Sequence, residues 1–221
     1  RYFCHASNLR PRQACRVFAM REDGYMSVSY PRLAAKTLRF TLGNPRNISV
    51  SKDGRFVRFI RTPDGFSRTG QLWELDTESG EERLLVDPSV LLDGDEQLSS
   101  AEKSRRERSR ESAGGLTSWS SDSAGLRGCF GLSGRLFSID FAADSASSET
   151  GSQTAPQTGN GITELSVVGS VIDPRLNPQG TAIAYTNELG EFRVIDAQNG
   201  QELLCLQADS PTSMWGQAEF I

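Results

Sequence analysis

Short apolar runs alternate with Gly-bearing turns along most of the chain, and two stretches are near-copies of each other. "SKDGRFVRF" (Ser51 to Phe59) aligns with "NPQGTAIAY" (Asn177 to Tyr185), setting Gly54 against Gly180, Val57 against Ile183 and Phe59 against Tyr185. Further along, "LWELDTESGEERLL" (Leu72 to Leu85) aligns with "FRVIDAQNGQELL" (Phe192 to Leu204), pairing Asp76 with Asp196, Gly80 with Gly200 and Glu82 with Glu202. A weaker middle copy, "RLFSID" from Arg135 to Asp140, puts a third aspartate in the same place. Each unit reads as a tight turn that uses glycine's tolerance of positive φ, then an apolar strand. A second strand follows and ends on an aspartate able to bond the backbone of the next turn. Turns and strands at this density predict antiparallel all-β structure.

Adjacent apolar residues such as Phe56-Val57, Phe59-Ile60 and Val194-Ile195 require strands covered on both faces. Four-stranded sheets stacked around an axis provide that cover, and a repeat of about 40 to 60 residues fits a β-propeller. A β-sandwich is the alternative, but it does not explain the spaced return of the Asp-x-x-x-Gly closure. The fold expected is a partial β-propeller of about three blades of four-stranded antiparallel sheet with one inserted charged helix. Complete propellers have about 4 to 8 blades, so the ring is expected to be unfinished at the closing "SMWGQAEFI". An apolar edge from Met214 to Ile221 should then promote association or bind a hydrophobic dye. Residues 1–28 lack periodicity and read as an unstructured tail, in which Met20 or Met26 is a candidate natural start; the propeller spans 29–221.

Two insertions interrupt the repeat. The segment 144–161 is nearly all small and polar, the composition of a flexible surface loop. The other, "LSSAEKSRRERSRESAGG", predicts a helix over about 99–113, with Ser99 and Glu102 as a capping box and Gly114-Gly115 as the stop. Between Glu102 and Glu111 it carries five basic residues (Lys103, Arg105, Arg106, Arg108 and Arg110) against three acidic ones and almost no apolar face. Charge runs usually form solvated arms held by pairs such as Glu102 with Arg106 at i,i+4. An arginine offered to an anionic or carbonyl group of a ligand is the functional alternative.

Composition narrows the chemistry. The 221 residues are 37% hydrophobic and 24% charged with a net charge of -4, an ordinary globular balance. That charge opposes a nucleic-acid or anionic-membrane surface, and no run approaches the roughly 18 apolar residues of a membrane span. Cys4, Cys15, Cys129 and Cys205 lack metal spacing and read as reduced thiols, which with the absence of a signal-peptide pattern implies a cytoplasmic location. His5, in the tail, is the only histidine, so no buried Ser-His-Asp triad or multi-histidine metal site is expected, and no cofactor. "GLSGR" (Gly131 to Arg135) lacks the spacing of a nucleophile elbow.

Together "SYPRLAAKTLRFTLGNPRNISVSKDGRFVRFIRT", "GEERLLVDPSVLL", "LSSAEKSRRERSRESAGGL", "SGRLFSID" and "WGQAEF" resemble a family. The chain from about Ser29 to Ile221 is similar to the N-terminal propeller of dipeptidyl peptidase IV-type serine peptidases of the prolyl oligopeptidase superfamily, in their bacterial and cytosolic eukaryotic branches. The resemblance implies a C-terminal α/β-hydrolase domain beyond the chain, peptide substrates cleaved two residues from the N-terminus after Pro or Ala, and a homodimer of the parent. It also implies that the propeller gates substrates, with an adjacent glutamate pair holding the α-ammonium and an arginine contacting the peptide backbone. Such paired carboxylates supply both charge and a ruler. Carried over by motif, the arginine is Arg110, with Arg108 as the substitute if the register slips; unengaged, Arg110 would pair with Glu107. The glutamate pair should follow Phe220-Ile221, so Glu219 reads as a strand-end carboxylate. Two other readings are a non-catalytic propeller interaction module and a periplasmic propeller accessory, the latter disfavoured by the missing signal region.

Overall fold

In the computed structural model the described residues are 29–92, 94, 96–108, 110–142, 161–210 and 213–216. The repeated unit is visible first in its turns. Ser51 Oγ accepts from Phe56 N at 2.9 Å, Asp122 Oδ1 from Leu126 N at 2.8 Å, and Asn177 Oδ1 from Thr181 N at 2.8 Å. Three residues after each of these side chains stands a glycine of positive φ: Gly54 at 75°, Gly125 at 70° and Gly180 at 73°. An L side chain is strained in that region, which is why glycine recurs there. The middle turn, "DSAG", carries the same sign as the outer two, a polar cap three positions before glycine, although the alignment of strands alone passes over it.

Each turn joins the first two strands of an antiparallel sheet. The first blade contains β1 (Arg46–Val50), β2 (Phe56–Arg61), β3 (Thr69–Asp76) and β4 (Glu82–Val86). A short helix α1 (Tyr30–Lys36) precedes it, and α2 (Pro88–Leu91) and α3 (Ser100–Arg108) follow. A two-residue strand, β5 (Gly114–Gly115), adds to the start of β3 in parallel. The second blade is β6 (Ser120–Ser121), β7 (Arg127–Leu132), β8 (Arg135–Asp140) and β9 (Ile162–Leu165). The third is β10 (Val171–Leu176), β11 (Ala182–Asn187), β12 (Phe192–Asp196) and β13 (Glu202–Leu206). The third turn of each blade also repeats: Asp76 Oδ1 accepts from Glu78 N, Asp196 Oδ1 from Gln198 N and Asp140 Oδ1 from Ala142 N, at 2.8 to 2.9 Å.

The first strands of successive blades lie side by side in the same direction. Ser49 Oγ meets Ser121 Oγ at 2.9 Å and Lys52 N reaches Ala124 O at 3.3 Å. Ser120 Oγ then accepts from Leu176 N at 3.1 Å, and Ser123 N donates to Pro178 O at 2.9 Å. Three four-stranded sheets repeating this offset form a partial β-propeller. Because neighbouring strands alternate in direction, the Asp-capped turns share one end of the array, while α3 and the β7–β8 and β11–β12 turns share the other.

Two apolar layers hold the blades together. Ile60, Leu72 and Val86 of the first blade pack with Phe130, Leu132, Phe137 and Ile139 of the second. Cys129, Leu136 and Leu165 of the second blade pack with Ile183, Tyr185 and Ile195 of the third. Among the described residues the middle blade packs against another blade on both faces and the outer two on one, although Phe59 on the other face of the first blade is buried as well; strand pattern alone predicts cover on both faces of every sheet. No helix among the described residues is long and apolar enough to cross a membrane.

Candidate functional site

The charged insertion is where structure departs most from sequence. Its helix runs Ser100–Arg108, shorter than the expected 99–113. Ser99 caps the start, its Oγ accepting from Glu102 N at 3.2 Å. The reciprocal half of a capping box is absent because the Glu102 carboxylate is engaged with arginines. At the other end the helix stops at Arg110, not at Gly114-Gly115. Arg110 has φ of 54°, its N–H bonds Glu107 O at 3.0 Å, and Glu111 N–H returns to Arg106 O at 2.8 Å. Gly114-Gly115 instead forms β5, where a Cβ on the facing Gly70 would sit 2.2 Å from Leu116 O. That strand pairing therefore requires glycine.

The arm is not a solvated helix. Arg106 is 8% exposed and Glu102 is 8% exposed. Arg106 Nε donates to Glu102 Oε1 at 2.9 Å and its Nη2 donates to Glu96 Oε1 at 2.7 Å. Glu96 Oε2 also accepts from Gly115 N at 3.1 Å, so one carboxylate ties the helix to β5. Arg105 grips Glu102 from the other side, with Nε to Oε2 at 2.7 Å and Nη2 to Oε1 at 2.8 Å. Arg46 of the first strand pairs with Glu111, and Gln97 N donates to Ser133 Oγ at 3.1 Å. The insertion is thus anchored to the first two blades. Burial alone would raise the Glu102 carboxyl, but hydrogen bonds from Arg105 and Arg106 outweigh it and hold it below its ordinary value. Burial likewise opposes the Arg106 charge, and the bonds to Glu96 and Glu102 reverse the effect and raise its pKa.

Arg108 and Arg110 are exposed beyond this clamp. Among the described residues neither forms a salt bridge, so Arg110 does not pair with Glu107 as the spacing had implied. An arginine at a left-handed helix end costs about 1–2 kcal/mol relative to glycine there. Beside the arm is an open hollow of about 390 Å³ lined by Glu96, Lys103, Arg106, Glu107 and Glu111. Glu96 and Glu111 in it are already paired with Arg106 and Arg46, which leaves Glu107 as its exposed carboxylate.

Other candidates resolve differently. Gly131 to Arg135 is a strand-to-strand turn with Ser133 at φ 51° and Gly134 at 75°, and Ser133 Oγ anchors Gln97. Cys129 is buried and burial pushes its thiol up to about 12. His5, Glu219, Cys4, Cys15 and most of segment 144–161 lie outside the described residues. The anchoring role of Glu96 had no local sequence sign, since its partners lie ten and nineteen residues away around a turn.

No protein-family model matches the chain. Among solved structures it is similar to TolB from Acinetobacter baumannii, with 15% identity and a TM-score of 0.42 over 76% of this chain and 33% of that one. It is also similar to the dihydro-heme d1 dehydrogenase NirN, solved in complex with DHE, with 16% identity and a TM-score of 0.44 over 76% of this chain and 28% of that one. The chain therefore spans a third or less of the length of these structures.

Proposed function

We propose that this chain is the propeller portion of a cytoplasmic serine exopeptidase of the dipeptidyl peptidase type. On this reading it gates and orients peptide N-termini for an α/β-hydrolase domain, and Arg110 contacts the peptide backbone, with Arg108 as the substitute. One observation carries the reading: an exposed arginine occupies a left-handed helix end, where glycine is easier, on an arm anchored through Glu102, Arg105 and Arg106. Strain of that kind gathers where a side chain is needed for binding. The neighbouring hollow, where Glu107 is the exposed carboxylate, is compatible with a peptide's ammonium end. The triad needed for chemistry would come from the hydrolase domain, so these residues alone should release no dipeptide from Gly-Pro chromogenic substrates.

The test separates binding from folding. Arg110→Gly should stabilise the chain by about 1 kcal/mol through relief of the left-handed strain. The same change should weaken binding of an Xaa-Pro tripeptide, followed by amide shifts around residues 100–117, at least tenfold. Unchanged binding in Arg110→Gly and Arg108→Ala, or peptide shifts elsewhere only, contradicts the assignment. In the gene, the reading frame should encode an adjacent glutamate pair, then Gly-x-Ser-x-Gly with downstream Asp and His. A non-catalytic interaction module is the second reading, favoured by the exposed apolar face of the third blade.

A further inference from the structure

The net charge of -4 averages two unlike parts of the chain. Of its 24 Lys and Arg and its 28 Asp and Glu, residues 1–40 hold eight and two, which leaves +6 there and -10 in the rest. Such an imbalance between two parts of a sequence points to an anionic partner for the positive one. Among the described residues the positive part begins with α1, which buries none of its own residues. Arg32, Lys36 and Arg39 of α1 and the turn after it are exposed and form no salt bridge among the described residues, whereas Arg58, Arg61 and Arg83 of the first blade all do.

The turn after α1 carries backbone strain. Leu38, Arg39 and Phe40 are consecutive left-handed residues at φ of 47°, 61° and 63°, a region that L side chains avoid. Thr37 holds them there: its hydroxyl donates to Leu33 O at 2.8 Å and accepts from Phe40 N at 3.0 Å. The reversal sets the Phe40 ring beside that of Tyr30, 5.9 Å between centres, with the two residues 46% and 73% exposed. Gly43 N donates to Thr62 Oγ1 at 2.8 Å and so seats this knob on the β2–β3 turn, which adds exposed Phe66 and Arg68. The one carboxylate of that turn, Asp64, accepts from the backbone of Phe66 and Ser67 at 2.7 and 2.6 Å. Three exposed aromatic rings therefore stand among four cations, with no carboxylate of either segment turned toward them.

We propose that this knob anchors the chain to an anionic lipid surface. Its shape selects that partner. A peptide docks in a groove or along a strand edge, and a helix that buries none of its residues offers neither. A nucleic acid would stack its bases on exposed rings, but Tyr30 and Phe40 already lie against each other. Aromatic rings ringed by Lys and Arg suit the headgroup layer, where the rings enter the acyl boundary and the cations meet anionic phosphates. The Asp-capped turns, with Asp53, Asp76 and Asp196, lie at the opposite end of the array and face away from such a surface. This inference does not rest on the peptidase reading.

Co-sedimentation with large vesicles tests it, with phosphatidylcholine alone and with phosphatidylcholine and phosphatidylserine at roughly 7:3. The wild-type chain should bind the anionic vesicles about tenfold or more tightly than the neutral ones, and added salt should release it. Arg39→Glu should weaken binding about tenfold or more. Lys52→Glu makes the same change of charge among the Asp-capped turns and should bind as the wild type does. Phe66→Ser, outside the strained turn, should weaken binding with the charge unaltered. Circular dichroism checks that each variant folds. No binding to anionic vesicles, equal binding to neutral ones, or equal losses in Arg39→Glu and Lys52→Glu overturns the proposal. So does a chain that ignores vesicles but is retained by polyglutamate or single-stranded DNA.

Discussion

The two contacts between blades solve one packing problem with different chemistry. Between the second and third blades the layer is apolar, from Cys129 and Leu136 to Ile183, Tyr185 and Ile195. Between the first and second blades an apolar layer is joined by Arg58, whose side chain is 5% exposed and whose Nε donates to Glu74 Oε2 at 2.7 Å. Its Nη1 reaches Gly125 O at 2.6 Å, and its guanidinium lies 3.7 Å from the centre of the Phe141 ring. Arg83 holds the other oxygen of Glu74 at 2.7 Å. Burial lowers the Arg58 pKa, and the Glu74 carboxylate offsets part of that cost. The charged insertion is anchored at this same contact. An apolar layer tolerates gradual change in volume, whereas a buried ionic cluster fails when one member is removed.

That contrast sets the size of mutational effects. Glu74→Ala leaves Arg58 buried without its counter-charge and should destabilise by about 3–5 kcal/mol, read from urea unfolding. Replacing Arg58 and Glu74 together by methionine should recover most of the loss, since the desolvation cost then disappears. A double variant as unstable as Glu74→Ala would mean that the cluster acts through packing and not through charge.

The repeated turn glycines sharpen the same comparison. All three sit at positive φ, so alanine should cost about 1–2 kcal/mol at each. At Gly125 a Cβ would also lie 2.8 Å from Ser51 Cα of the first blade, whereas at Gly54 it would meet nothing within 4 Å. Gly125→Ala should therefore be the more damaging in thermal unfolding, and equal effects would show that the first contact is loosely packed. In the apolar contact, Ile183→Val should cost only about 0.5–1.5 kcal/mol.

The smallest effect should be that of pH on the arm. Glu102 has a lowered pKa in the folded chain, so its contribution is complete above the ordinary value of 4.5 and is lost as pH falls through the lower folded value. Melting temperatures taken downward from pH 5 should fall more steeply in wild type than in Glu102→Gln. Parallel curves would remove Glu102 from the clamp.

Strand order and turn chemistry were legible because they are local: an aspartate four residues before Gly80 or Gly200 bonds the turn it opens. The middle copy was only half visible, since Asp122 replaces Ser51 and Asn177 as the turn cap and the match is in hydrogen-bonding capacity, not residue type. The arm was misread as solvated because charge content says nothing about partners distant in sequence. Glu102 with Arg106 was visible at i,i+4, but Glu96 and its bond to Gly115 N arise only when the chain turns back on β3. Arg110 follows from a motif resemblance alone, and its left-handed backbone has no sign in the sequence.

The charged arm is locked onto the first two blades while Arg108 and Arg110 stand clear of the lock. Amide hydrogen exchange over Ser100–Arg108 at neutral pH tests it most directly. Protection in wild type should approach that of β3 and β7, and it should be lost selectively from the arm in Glu96→Gln while both strands stay protected. Exchange of the wild-type arm at free-chain rates, or an arm equally protected in Glu96→Gln, would contradict it.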